Sequence, residues 1–258
     1  MMDRDVLPAL DSNYLDANRI FVSDSNTGEY RERRDVAIVS CGLPVEPLNF
    51  GFLKPPYHDL AATAAAVGSY FTDRKLPFQL TFREGGRDPS IENLESTGWR
   101  RKPEPIPGMT LAMPASPGKP PTGLAIQEVG THEQLVGFRE AAFRGFGYPV
   151  SAARIFLNER MLALPQVRLY AGLVDGAVVS TSMLIATGVV AGIYWVATLE
   201  QQRGRGYGEA LTWAAIAGGR EFGCRIASLQ ASKLGQPVYA RMGFEHVLDY
   251  ASLLPPKA

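Results

Sequence analysis

The sequence lacks the residues that mark disulfide-rich and metal-binding proteins. Only two of its 258 residues are cysteines, Cys41 and Cys224, too few for a disulfide framework or a cysteine zinc site. Its three histidines, His58, His132 and His246, lie far apart in the chain and show no metal-ligand spacing. We therefore expect no metal cofactor.

The chain also lacks a net charge and a long apolar run. Lys and Arg together number 26, as do Asp and Glu, which argues against a strongly basic nucleic-acid-binding protein. The sequence contains no run of about 18 apolar residues, so it predicts no membrane span. The start MMDRDVLPAL lacks both the basic region and the apolar region that are typical of a secretory signal. We expect a cytoplasmic protein with neither a nucleic-acid nor a membrane partner.

The composition that remains is that of a globular protein. Apolar residues make up 46% and charged residues 20% of the chain, which is ordinary usage. The length suits one large domain or two of roughly 100–150 residues. Seven prolines fall within residues 103–122, where proline excludes a helix interior or a central strand. We therefore predict a linker at residues 114–122 that separates a domain at 1–113 from a domain at 123–258.

The second half carries the clearer secondary-structure pattern. Thr131 and Gln134 form a capping-box signature at the start of a helix, and Asp175-Gly176 is typical of a hairpin turn. The predicted order βααβββαβαβ indicates a fold of the α/β class. Its sheet would be mixed, as in an α+β arrangement, with helices on both faces. The predicted strands are 123–129, 167–174, 177–186, 189–198, 225–231 and 245–253; the helices start at 131, 151, 208 and 237.

A glycine-rich loop joins an apolar strand to an apolar helix. Gly204, Gly206 and Gly208 alternate there, and the free N–H groups and dipole of the following helix favour a phosphate or diphosphate. Arg203 and Arg205 add positive charge. The loop has neither the GK[ST] ending of a Walker loop nor the G-x-G-x-x-G of a dinucleotide fold. A plain glycine turn and an RGG-like nucleic-acid segment remain as alternatives.

Two motifs resemble those of one family. Arg203, Gly206 and Gly208 read as R-x-x-G-x-G, which resembles the acyl-CoA diphosphate loop of the GNAT superfamily of N-acyltransferases. Farther along, Tyr239 is followed by Gly243-Phe244, which is similar to a later signature of that family. The resemblance covers residues 123–255 and agrees with the element order. It implies a GNAT-like fold for this half.

The resemblance also implies a cofactor and its contacts. The co-substrate would be acetyl-CoA, without a metal, and its pantetheine arm would pair with the backbone of the strand before the loop. Ser232 stands where family members often carry an asparagine that contacts this arm. The implied cofactor-binding residues are Val196, Ala197 and Thr198 on the strand, Arg203, Gly204, Arg205, Gly206, Tyr207, Gly208 and Glu209 in the loop, and Ser232.

The resemblance implies that Tyr239 is the catalytic general acid for the departing thiolate. The other interpretation of Tyr239 is a core tyrosine on an amphipathic helix. A general base is not assigned. Asp175 lies in a predicted turn and Glu200 is expected in solvent. Tyr194 is expected to share a strand face with Val196 and Thr198, where it would hold a water.

The first half resembles a degenerate copy of the second. Its Ala-rich helix, predicted at 60–71, falls on the helix after the glycine loop, Gly98 falls on Gly243, and Leu94 falls on Tyr239. No R-x-x-G-x-G precedes the Ala-rich helix. We predict a tandem of two GNAT-like domains, the first of them degenerate. The alternative is an unrelated α+β lid domain.

The sequence thus predicts an acetyl-CoA-dependent N-acetyltransferase. An amine on a small molecule or peptide would attack the thioester directly in a ternary complex, because no Cys or Ser is placed for a covalent relay. Two alternatives stay open: a non-catalytic acyl-CoA binder or sensor, and an O-acyltransferase on the same scaffold. The identity of the acceptor and the oligomeric state stay open as well.

Overall fold

The chain forms two compact units that are each discontinuous in sequence. The structure, a computed structural model, describes residues 6–23, 27–85, 88–113 and 119–256. Unit 1 comprises Met1–Phe21 and Met109–His246, and unit 2 comprises Val22–Gly108 and Val247–Ala258. The sequence predicts two consecutive domains instead. The difference arises because local patterning does not reveal in which unit a terminal helix or strand packs. Residues 114–118 of the expected linker lie outside the described residues.

The described residues contain seven α-helices and twelve strands. None of these helices combines the length and the apolar composition needed to cross a membrane. The helices are α1 (Val6–Val22), α2 (Leu60–Thr72), α3 (Pro89–Ser96), α4 (His132–Phe146), α5 (Ala153–Phe156), α6 (Tyr207–Glu221) and α7 (Gln236–Arg241). The strands are β1 (Glu29–Glu32), β2 (Val36–Ser40), β3 (Asn49–Leu53), β4 (Gln79–Arg83), β5 (Arg100–Arg101), β6 (Ile106–Ala112), β7 (Ala125–Glu128), β8 (Val167–Val174), β9 (Ala177–Thr187), β10 (Val190–Thr198), β11 (Ile226–Gln230) and β12 (Glu245–Leu254).

Unit 1 is built on a mixed sheet with a helix on each face. Its strand order is β6-β11-β10-β9-β8-β7; neighbours from β7 to β10 are antiparallel and β10 is parallel to β11. Gly145 of α4 lies against Ala197, whereas Gly208 of α6 lies against Val196 and Thr198. Successive strand residues point to opposite faces, so α4 and α6 cover opposite faces. The core between α6 and the sheet includes Leu184, Ile193, Leu211, Ile216 and Leu229.

Of the two helices predicted after β7, the first begins as predicted and the second does not form as one helix. The Thr131 hydroxyl accepts from the N–H of Gln134 at 3.3 Å, and Gln134 Oε1 accepts from the N–H of Thr131 at 3.1 Å, which confirms the capping box. The single helix predicted from 151 is wrong. It breaks into a 3₁₀ turn at Val150–Ala152, the one-turn α5, and a second 3₁₀ turn that Asn158 caps through the N–H of Arg160.

Unit 2 repeats the strand order of unit 1. Strands β1, β2 and β3 are antiparallel, α2 follows, and β4 then returns parallel to β3, with β12 on its other side. The same sequence of pairings joins β8, β9, β10, α6 and β11. Gly98 and Gly243 also share a left-handed backbone, with φ of 101° and 93°. The predicted tandem of two similar folds is therefore confirmed, while α1, β1, β3 and β5 were not predicted.

Candidate functional site: a gap between two strands

Two neighbouring strands of unit 1 part before either of them ends. The parallel pairing of β10 with β11 joins Val190, Ala191 and Gly192 to residues 226–228. Both strands lie wholly within the described residues, and they form no further pair beyond this point. Strand β10 continues to Thr198 and β11 to Gln230. The edge of β10 that faces β11 is thus left without a partner strand from 193 to 198.

A β-bulge lies in this unpaired stretch. On the β9 side, Tyr194 is opposite Met183 and Ala197 is opposite Thr181, so two β10 residues, Trp195 and Val196, share one position of the partner strand. Trp195 has φ of 51°, in the left-handed region that bulky residues rarely adopt. Because this conformation is strained, the surrounding structure must hold the bulge in place.

The bulge reverses the alternation of side chains along β10. Tyr194 packs edge-on to Phe21 of α1, with ring centroids 5.5 Å apart, on the face away from α6. Val196 and Thr198 lie on the α6 side, against Gly208. The sequence-based expectation that Tyr194 shares a face with those two residues is wrong, because one extra residue shifts the period-2 pattern.

Hydroxyl groups of β9 bind the carbonyl groups of the bulged segment. Thr181 Oγ1 donates to the carbonyl oxygen of Trp195 at 2.8 Å, and Ser180 Oγ donates to that of Ala197 at 2.8 Å. Both side chains are fully buried. Sequence analysis did not single out either residue, because a bulge leaves no periodic signal.

The glycine loop lies at the open end of the gap and leads into α6. Gly204 and Gly206 have φ of 76° and 78°, and Gly206 is the N-cap of α6 without any side-chain cap. The first helical bond runs from the N–H of Ala210 to the Gly206 carbonyl at 3.0 Å. The N–H groups of Tyr207, Gly208 and Glu209 therefore have no partner within the helix. With the helix dipole, these N–H groups favour an anion; that a diphosphate binds here stays a prediction.

The two arginines of the loop differ in their surroundings. Arg203 Nη2 donates to the carbonyl of Gly145 at 3.0 Å, and its Nε donates to the carbonyl of Thr198 at 3.2 Å. Arg203 thus ties the loop to the ends of α4 and β10 while it places a positive charge beside them. Arg205 and Gly204 are exposed.

Tyr239 lies on α7 and is buried. Its side chain is 8% exposed, and its ring centroid is 5.8 Å from that of Phe244. Thr212 of α6 lies near its hydroxyl. Thr212 Oγ1 in turn donates to the carbonyl of Gly208 at 2.8 Å. Burial raises the pKa of Tyr239 to about 12 against the opposing effect of Thr212, so the phenol stays protonated at neutral pH.

Ser232 follows the end of β11 and is exposed. Its hydroxyl oxygen accepts from the N–H of Gly235 at 3.1 Å, and its carbonyl accepts from the N–H of Gln236 at 2.9 Å. The side chain therefore stabilises the turn before α7. Its role toward a ligand stays a prediction.

The residues considered as a general base lie on separate elements. Asp175 lies in the turn between β8 and β9, and Glu200 is exposed in a 3₁₀ turn. Tyr194 donates to Asn13 Oδ1 at 2.6 Å, and burial raises its pKa well above its usual range. Asn13 was missed because α1 was not predicted, although Leu10, Tyr14, Ala17 and Phe21 show helical spacing.

The counterpart of this gap in unit 2 is closed. Strands β3 and β4 stay paired through Leu53, the last residue of β3. The following loop carries the cis Pro55-Pro56 bond in place of glycines. Leu94, which the sequence alignment of the halves sets against Tyr239, is buried. At these matching positions, all of which the structure describes, unit 2 has neither the gap, nor the glycine loop, nor the tyrosine.

The comparisons with known proteins agree with this geometry. The sequence model described as the acetyltransferase (GNAT) family matches residues 132–244, which include β10, the loop, α6 and α7. No functionally curated protein matches the sequence.

Several solved structures share the fold at low sequence identity. A GCN5-related N-acetyltransferase from Kribbella flavida is 17% identical, with 96% of both chains covered and a TM-score of 0.66. One from Sphaerobacter thermophilus is 16% identical over 87% of this chain and 82% of that chain, with a TM-score of 0.62. A tandem GNAT protein from the clavulanic acid biosynthesis pathway is 16% identical over 97% of both chains, with a TM-score of 0.57. The domain at residues 132–244 thus matches the model of the acetyltransferase (GNAT) family, and the solved structures show that the chain has a fold that GNAT proteins share.

Proposed function

We propose that this domain transfers an acetyl group from acetyl-CoA to an amine, by direct attack of the amine in a ternary complex. The observation that carries the proposal is the unpaired edge of β10, which opens beside β11 and ends at the glycine loop. A pantetheine arm is extended and carries amide groups, so it can add to that edge as a short strand would.

Each cofactor contact follows from this placement. The backbone of Val196, Ala197 and Thr198 pairs with the pantetheine arm. The diphosphate lies on the N–H groups from Gly204 to Glu209, where the helix dipole favours negative charge. Arg203 and Arg205 add positive charge, and Ser232 lies at the end of β11 near the arm.

Tyr239 assists the departure of the thiolate. A free thiol has a pKa of about 8.5, whereas that of Tyr239 is raised to about 12, so full proton transfer from the phenol alone is uphill. We assign to Tyr239 a hydrogen bond to the sulfur as its charge develops. The amine nitrogen becomes acidic on attack and releases the proton that the thiolate finally takes up.

The acceptor attacks without a covalent acyl-enzyme. Cys224 is buried, and burial raises the pKa of its thiol, so it does not supply a reactive thiolate. No general base is assigned among the three candidates. The acceptor, an amine on a small molecule or peptide, is proposed to react as the fraction that is neutral in solution.

The test measures both binding and turnover on the full chain. Calorimetry with acetyl-CoA is expected to show binding, and release of free CoA is expected with some members of an amine panel. Release with alcohols instead would reassign the protein as an O-acyltransferase, and binding without any release would make it an acyl-CoA sensor. No heat with any acyl-CoA thioester would overturn the proposal.

A further inference from the structure

A hydroxyl of the neighbouring strand β9 binds one peptide bond of the bulge. Thr181 Oγ1 donates to the carbonyl oxygen of Trp195 at 2.8 Å, and the Thr181 side chain is fully buried. In a regular antiparallel pair, backbone N–H groups of the partner strand would satisfy such carbonyls. The bulge disturbs that ladder, and here a side chain binds the carbonyl.

The direction of the next N–H group follows from the planarity of the peptide unit. In a trans peptide the C=O of one residue and the N–H of the next lie in one plane and point in opposite directions. The Trp195 carbonyl points to Thr181 on β9. The N–H of Val196 must therefore point away from β9, toward the gap beside β11.

The next hydroxyl along β9 repeats this relationship. Ser180 Oγ donates to the carbonyl of Ala197 at 2.8 Å, so the N–H of Thr198 also points away from β9. Two N–H groups on alternate residues, Val196 and Thr198, are thereby aimed at the same gap. This is the spacing at which an added strand forms its hydrogen bonds.

We propose that Thr181 is a positioning residue for acetyl transfer: its hydroxyl fixes the peptide between Trp195 and Val196, so that the Val196 N–H donates to the thioester carbonyl oxygen. The inference rests on the proposed function. The N–H stabilises the negative charge that develops on this oxygen when the amine attacks. Thr181 does not touch the substrate.

Packing alone does not require this hydroxyl. Valine has nearly the shape of threonine and suits a strand equally well, so it would fill the site at position 181. It would leave the Trp195 carbonyl without the Thr181 hydroxyl as donor. The peptide plane could then rotate, so that the Val196 N–H no longer points toward the gap. Serine would keep the donor and lose only a methyl group.

The experiment compares Thr181→Val and Thr181→Ser with the unmodified protein. Bound acetyl-CoA labelled with ¹³C at the carbonyl is expected to show a downfield NMR shift in the unmodified protein and in Thr181→Ser, and a smaller one in Thr181→Val. The kcat of Thr181→Val is expected to fall about 10²-fold, since a small misplacement of a catalytic group has an effect of this size. The Kd for CoA should change less than 3-fold, because the diphosphate loop is untouched.

The outcomes separate this inference from the proposed function. An unmodified protein that neither binds nor turns over acetyl-CoA overturns the proposed function and this inference with it. An active protein in which Thr181→Val keeps both the carbonyl shift and kcat overturns only the role of Thr181. If Thr181→Val fails to fold, Thr181→Ala removes the hydroxyl without placing a methyl against the carbonyl, and the same two readouts decide.

Discussion

The hydroxyl of Tyr194 donates to Oδ1 of Asn13 at 2.6 Å, and both side chains are buried. Asn13 also donates through Nδ2 to the carbonyl of Ile185 at 3.0 Å. One side chain of α1 thus satisfies polar groups on two strands of unit 1. A Cβ at Gly192 would collide with Asn13, so the strand provides a glycine where the helix approaches.

Replacement of Asn13 by alanine is expected to destabilise the protein by about 1–3 kcal/mol, because it leaves the buried Tyr194 hydroxyl without its acceptor and removes a donor from the Ile185 carbonyl. Chemical denaturation followed by tryptophan fluorescence measures the change. The double variant Asn13→Ala, Tyr194→Phe should lose less than the sum of the two single variants, since the second change removes one orphaned group. Strictly additive losses would contradict the pairing.

Gly206→Glu is expected to weaken acetyl-CoA binding at least 100-fold, because it sets a carboxylate where the diphosphate is proposed to lie. Gly188 is a matched control. Like Gly206 it has a positive φ (56° and 78°), but it lies in the turn between β9 and β10, and a Cβ there meets nothing within 4 Å. Gly188→Glu imposes similar backbone strain and should bind with unchanged affinity by calorimetry. Equal losses in both variants would remove the loop from the cofactor site.

Tyr239→Phe is expected to lower kcat roughly 10²-fold, because it removes a hydrogen bond to the developing charge on sulfur, and to leave the Kd for acetyl-CoA nearly unchanged. Tyr170→Phe is the control, because Tyr170 is a buried tyrosine of the same core cluster outside the proposed site. Since the pKa of Tyr239 is raised to about 12, ionisation of this group should not reduce kcat near pH 10. An unaltered rate in Tyr239→Phe would refute its role.

Alkaline pH is expected to destabilise the folded chain above about pH 10, where tyrosine ionises in unfolded peptides. Burial raises the pKa of Tyr239 to about 12 and that of Tyr194 well above its usual range. Below pH 10 both states keep these protons, and stability does not depend on them. As pH rises from 10 toward 12 the unfolded chain ionises first, so stability falls. Thermal unfolding of Tyr239→Phe should show a shallower fall than the unmodified protein over this range.

One acyl-CoA is expected to bind per chain. Unit 2 keeps β3 and β4 paired through Leu53 and carries cis Pro55-Pro56 after β3, so these two strands leave no gap between them for a pantetheine arm. Calorimetry should give a stoichiometry near 1. A second site per chain, or binding that survives in Gly206→Glu, would contradict this assignment.

Much of the local structure was predictable because it depends on neighbours in sequence. The capping box at Thr131 and Gln134, the turn at Asp175-Gly176 and the glycine loop at Gly204–Gly208 were identified where the structure has them. The helix predicted from 151 was wrong because Asn158 starts a new turn instead of continuing the old one. Short polar side chains compete in this way for backbone groups.

By itself, the sequence determined the order of strands and helices in the second half, the glycine loop and the resemblance that points to an acyl-CoA site, since apolar periodicity and glycine spacing are local properties. Only the tertiary structure decided where β10 leaves β11, that Tyr194 turns to Asn13 while Val196 turns to α6, and that Thr181 holds the bulge. These depend on hydrogen bonds between residues far apart in the chain and on a single extra residue in one strand, which no periodic pattern records.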